Sequence, residues 1–219
     1  MNTMSLPAPV RALMFASMGA LATAMLISLW EAALNAEQPV LWWVTRASGF
    51  VAYVALALSV FFGVMISSKG AGGLLPKKVV MDLHQQWTLS AVVASVVHVL
   101  SAVLHVESGI SAWAAIIPFA SENLTGAVGI GTVAFLGLGV IAASSWLRTL
   151  VPYGAWRAIH ALAFGVMILA LAHSVAAGTD TVHAAARWTY IATAAAILGA
   201  ITIRLLVALA GRGTEPRRN

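Results

Sequence analysis

Long apolar runs, each bounded by charged residues or turn formers, follow one another along the chain and predict membrane-crossing helices near 11–33, 42–66, 80–106, 124–147, 155–177 and 185–210. Three stretches carry no Asp, Glu, Lys or Arg: Leu83 to Val106, Asn123 to Leu147 and Ala158 to Thr179. Each exceeds the roughly 20 residues needed to cross a hydrocarbon core. The sixth run carries Arg204 near its end, where a long cationic side chain reaches the headgroups. The first run is too long for the apolar region of a signal peptide and five more follow it, so it is expected to remain as a helix. A Gly- and Lys-rich turn from Ser67 to Lys78, with Pro76, separates the second and third runs. Between the third and fourth, Glu107 to Glu122 contains Trp113, Ile116, Ile117, Pro118 and Phe119, but it is too short to cross and is expected to lie in the outer interface as a lid. The expected fold is an all-α membrane protein, a single six-transmembrane-helix bundle over residues 1–219.

Composition agrees with that class. Hydrophobic residues make up 61% of the chain and charged residues 9%, and the mean hydropathy of +0.92 lies far from the balance of a soluble domain. Basic residues then orient the bundle. Arg11, Lys69, Lys77, Lys78, Arg148, Arg157, Arg204, Arg212, Arg217 and Arg218 fall on one side, with only Arg46 and Arg187 opposite, so both termini are expected to be cytoplasmic. Glu31, Glu37, Glu107, Glu122 and Asp180 gather on the external side. The net charge of +5 therefore reflects topology and membrane lipid, with no nucleic acid as partner. The expected location is a bacterial-type inner (plasma) membrane.

Cysteine is absent, which excludes disulfides, thiolate catalysis and cysteine-ligated iron–sulfur clusters. Imidazole is the remaining good transition-metal ligand, and an ionisable group inside a span needs a function. His84 and His98 lie fourteen residues apart in the third run, and His160 and His173 thirteen apart in the fifth, which separates each pair by about 20 Å of helix. Both runs start from the cytoplasmic side, so His84 shares a depth with His160, and His98 with His173. Two imidazoles facing each other at one depth can supply both axial ligands of a haem. The arrangement occurs twice. His105 lies too close to the outer surface to replace His98 as the partner of His173. Fourteen residues return to nearly the same helix face, whereas thirteen leave His173 roughly 140° from His160. Either the fifth helix is distorted between them, near Gly165, or two haems occupy different flanks of it.

These residues resemble the ferric reductase-like transmembrane domains, a family that includes the membrane cores of NADPH oxidases and the haem-binding subunit of the bacterial methionine sulfoxide reductase system. The spacing is the specific part, His-x13-His at His84/His98 and His-x12-His at His160/His173. Supporting segments are Trp43 to Gly49, Asp82 to His84, and Trp156 to Asp180. The resemblance implies a b-type cytochrome with two haem b groups, His84 and His160 on the inner iron and His98 and His173 on the outer, moving electrons across the membrane. The implied donor is a cytoplasmic flavin reductase or a quinol, with flavin or quinone as the donating group. The implied external acceptor is ferric iron or a periplasmic reductase or flavoprotein. The chain differs from larger members in showing no flavin or NADPH domain.

Other residues fit more than one role. Arg46 and Arg157 suit haem propionates at the outer and inner levels, or interfacial anchoring. His105, His183, Asp180 and Glu107 could form an external acceptor or metal site, but their spacing matches no metal motif and they read rather as solvated loop residues. Gly129, Gly131 and Ala134 imitate a dinucleotide-binding pattern, but no strand precedes them, and helix packing through small residues explains them. Trp30, Trp42, Trp43, Trp113 and Trp188 on one side, with Trp87, Trp146 and Trp156 on the other, form interfacial belts. The chain is thus expected to be an electron-transferring oxidoreductase subunit. The alternatives are a histidine-lined proton-coupled or metal-cation transporter, which would need broken helices around a wet path, and a haem-bearing anchor for a catalytic subunit.

Overall fold

The computed structural model describes residues 40–67 and 76–212. The predicted helix near 11–33 and most of the Ser67–Lys78 turn lie outside the described residues. Within them, helix dominates and there is no strand. Five segments are long and apolar enough to cross a membrane, as a multi-pass membrane protein requires: Val40–Ile66, Lys77–Leu104, Thr125–Trp146, Tyr153–Ala177 and Ala184–Ile203.

The helices are α1 (Val40–Ser67), α2 (Lys77–Leu104), α3 (Thr125–Trp146), α4 (Tyr153–Ala161), α5 (Ala163–Ala177) and α6 (Ala184–Arg212). Pro76 and Pro152 stand immediately before α2 and α4 with φ of −58° and −55°. A proline suits a helix start because it lacks an N–H that would have no partner there. Its carbonyl still takes part, accepting from Val80 in one case and Trp156 in the other.

Helix α1 packs along α2, α3 packs along α5, and α6 covers α1. The α2 helix makes little direct contact with α4 or α5, so two antiparallel helix pairs face each other across an interior. Close approach of α1 and α2 follows from sequence: Ser48, Ala52, Ala55 and Ser59 are buried at intervals of four, three and four, one small-residue face of a helix. Thr45 and Ser59 also bond across to Ser101 and Thr88 at 2.9 and 2.6 Å. On α2, the exposed residues Leu89, Val93, Val96, Val97 and Leu100 share the opposite face, suited to lipid. Tyr53, Leu56, Ala91, Leu138, Val166 and Met167 build the core between the pairs.

The α4–α5 segment is distorted between His160 and His173 as the interval requires, with the break at Leu162, one turn before Gly165. The Leu162 N–H donates to the Ile159 carbonyl at 3.0 Å, three residues back. Such a turn rotates about 120° per residue in place of about 100°, the sense needed to bring His173 round toward the face of His160. A Cβ added at Gly165 would meet nothing within 4 Å.

Residues 107–122 form no spanning helix. They follow a 3-10 turn, Val106–Ser108, and fold back as successive turns that are tied down at named points. Thr132 Oγ1 donates to the Ala114 carbonyl at 2.7 Å, Asn123 Nδ2 to the Ser108 carbonyl at 3.1 Å, and Ser108 Oγ to the Ala102 carbonyl at 2.8 Å. Phe119 adopts a left-handed φ of 63° and lays its ring against Gly129, where any Cβ would overlap it.

Candidate functional site

Helix α2 carries His84 and His98 on its interior face; α4 and α5 carry His160 and His173. Across the interior, His84 meets His160 with ring centres 5.9 Å apart and planes at 75°. His98 meets His173 at 6.0 Å and 76°. A metal ion held between two imidazoles by bonds of about 2 Å, each ligating nitrogen about 1 Å from its ring centre, sets ring centres about 6 Å apart. Both pairs have that separation.

Three of the rings are fixed in the same way. His84 Nδ1 lies 2.8 Å from the Ser59 carbonyl, His98 Nδ1 2.8 Å from the Thr45 carbonyl, and His173 Nδ1 2.8 Å from the Ala127 carbonyl. A backbone carbonyl only accepts, so Nδ1 carries a proton in each, and Nε2 is the ring nitrogen left to ligate a metal when the imidazole is neutral. This is the second-sphere arrangement that orients a metal-ligating histidine and raises its basicity. In each case the residue four beyond the accepting carbonyl is a glycine: Gly63 after Ser59, Gly49 after Thr45, Gly131 after Ala127. A helical carbonyl points along the helix at residue i+4, so a side chain there would stand where the imidazole must approach. A Cβ built on Gly49 or Gly131 would lie 2.7 or 2.5 Å from the Nδ1 of His98 or His173, and one on Gly63 would lie 3.3 Å from His84 Cε1.

His160 is held differently. Its ring stacks on Trp156, 5.0 Å between centres and 24° between planes, and its buried Nδ1 has no hydrogen-bond partner.

The second pair opens on a cavity of about 590 Å³, within the range of cofactor sites. Phe50, Leu56, Phe135, Leu138 and Val166 make its wall apolar, while Arg46, Asp180, Asn123 and Glu107 supply polar groups, and Ile110, Ala114 and Ala115 of the 107–122 segment also line it. Arg46 Nε donates to Asp180 Oδ2 at 3.1 Å, and its Nη2 donates to Asp180 Oδ1. The guanidinium also lies 4.7 Å over the Trp43 ring. The hydrogen bond from Arg46 holds the Asp180 carboxyl below the usual carboxylate range. Any stability this ion pair adds is therefore present at neutral pH and is lost only as pH falls through that lowered pKa.

Residues 40–180 match a protein family described as a domain of unknown function, DUF8596. The chain belongs to this family. No curated protein and no solved structure matches it. The DUF8596 segment contains the four paired histidines, the three glycines that lie against their rings and both members of the Arg46–Asp180 pair, and α6 lies beyond it.

The remaining sequence candidates of this DUF8596 chain have separate places. Arg157 is exposed on α4, 5.7 Å over the Tyr153 ring, and is not in the wall of the cavity. His105 is not a solvated loop residue: it is buried at the end of α2, its ring 5.9 Å from that of Trp42. Asp180 likewise is paired, with Arg46. His183 and Glu107 are exposed. Among the described residues no group of three or more His, Cys, Asp or Glu side chains is placed to hold a metal ion, so these residues make no external metal centre. Sequence reasoning missed the glycines. Gly49 and Gly63 stand fourteen residues apart, the interval of His84 and His98 on the antiparallel neighbour, and that match was the available signal.

Proposed function

We propose that this DUF8596 protein is a ferric reductase-like dihaem b-type cytochrome of a bacterial-type inner membrane. In this reading it is a six-span bundle with both termini cytoplasmic, and it passes electrons from a cytoplasmic flavin reductase or a quinol to an external acceptor, ferric iron or a periplasmic reductase or flavoprotein. The observation that carries the reading is the pairing of four imidazoles at two levels, with three Nδ1 protons committed to backbone carbonyls. His84 and His160 would hold the inner haem, and His98 and His173 the outer. Bound haem supplies reversible one-electron chemistry, and the protein sets its position and potential.

This chain's own residues do the rest. The Ser59, Thr45 and Ala127 carbonyls orient three ligating rings with their lone pairs facing inward. The apolar wall around His98 and His173 excludes water and suits a macrocycle. Arg46 at the cavity mouth is within the site's polar rim and can offer its guanidinium to a carboxylate of the bound group in exchange for Asp180. Arg157, exposed beside Tyr153, would serve the inner level or attract an anionic donor. The test is an absorption spectrum of the purified protein before and after dithionite. A shifted, sharpened Soret band with a new α band on reduction is expected; a featureless visible spectrum in protein produced with ample haem would overturn the reading.

A further inference from the structure

His160 departs from the other three histidines in the hydrogen bonding of its ring and in the helix that carries it, and is held only by its stacking on Trp156. Its Nδ1 is buried and unpartnered, whereas His84, His98 and His173 each reach a carbonyl at 2.8 Å. No glycine cradles its ring; thirteen and fourteen residues after Gly131 on α3 stand Ser144 and Ser145, whose hydroxyls both donate to the Ile141 carbonyl at 2.9 Å, and Ser145 Oγ accepts from Nε1 of Trp156, not from His160, at 3.3 Å. Its helix differs too. The other three histidines sit within α2 and α5, which contain buried residues, while α4 is nine residues long, has no buried residue, and ends at the Leu162 break two positions past His160.

We propose that the two histidine pairs are unequal ligand sets. His98 and His173 form a closed bis-imidazole site, whereas His160 is an exchangeable ligand, and a small neutral donor of the carbon monoxide class takes its place opposite His84. The inference rests on the dihaem reading. Losing the second-sphere hydrogen bond of a metal-bound histidine weakens the site about 10–100-fold. The 3-10 turn at Leu162 sets the short helix that carries His160 apart from the regular ladder of α5. The exchange is balanced: the bond from iron to His160 Nε2 breaks and the lone pair stays on that nitrogen, the incoming carbon supplies a lone pair to the iron, and no electron is gained or lost.

The experiment is carbon monoxide titration of the dithionite-reduced, haem-loaded full chain, read as an optical difference spectrum against total haem from a pyridine haemochrome assay. Half of the haem is expected to bind carbon monoxide, with an affinity at least about tenfold above that of the other half. His173→Ala, and independently His98→Ala, which disturb only the second pair, should leave no haem silent. A wild-type protein in which neither haem responds, or both respond alike, overturns the inference while leaving the dihaem reading intact, as does a haem that stays silent in either variant. Protein that contains no haem overturns both.

Discussion

His98→Ala and His173→Ala are expected to remove the same haem, and His84→Ala the other. The rings of each pair are about 6 Å apart and share one iron in this reading, whereas His84 and His98 are separated by about 20 Å of helix. Loss of either second-pair histidine leaves the surviving imidazole facing the apolar wall of Phe50, Leu138 and Val166, with no other histidine in the cavity wall among the described residues. Haem content should fall by about half in each of these three variants. His160→Ala acts on the first haem, leaving it on His84 alone. Redox titration of each variant identifies the missing component. If His84→Ala and His173→Ala lacked the same one, the pairing would be wrong.

A single methyl group should have nearly as large an effect when placed under a ligating ring. In Gly131→Ala the new Cβ would stand 2.5 Å from His173 Nδ1, and in Gly49→Ala 2.7 Å from His98 Nδ1. Neither contact is tolerable, and in both cases the neighbour is a ring already anchored to the carbonyl four residues earlier. The ring must leave that carbonyl, and the expected weakening of the second haem is about 10–100-fold. Gly63→Ala, at 3.3 Å from His84 Cε1, needs only a small shift and should act more mildly. Gly139 is the control, since it lies on the same helix as Gly131 with nothing within 4 Å. Gly139→Ala should leave haem binding unchanged and favour the helix by about 0.5–1 kcal/mol. Haem transfer to an excess of a soluble apo-globin measures all four variants. Equal rates for Gly131→Ala and Gly139→Ala would show that the glycine does not position His173.

The apolar runs of α1, α2, α3 and α6 were legible because in a membrane span one local property, lack of charge over enough residues, decides the element. The facing of His84 toward His160 and of His98 toward His173 followed from counting residues inward from Asp82 and Arg157. That the helix breaks between His160 and His173 followed from their thirteen-residue interval, but its place at Leu162 was not legible. It has no proline or glycine at it, and a leucine accepts either a 3.6- or a 3-residue turn, so tertiary packing decides. The Arg46–Asp180 pair joins positions 134 apart in sequence, and only the folded bundle brings them to one cavity mouth. His105 was misread as solvated because depth along a helix says how near a residue is to the surface and nothing about the neighbour, here Trp42, that covers it. The glycines were hidden in plain view. Small residues in spanning helices usually serve packing, and Gly129 does so under Phe119. Gly131, two positions later, makes room for the ring of His173.

Everything functional proposed for this chain depends on two haems bound by four histidines. The deciding measurement is the pyridine haemochrome stoichiometry of the full-length protein purified from cells supplied with excess haem. Two haem b per polypeptide is the expected value. A ratio clearly below two in fully loaded protein would contradict it.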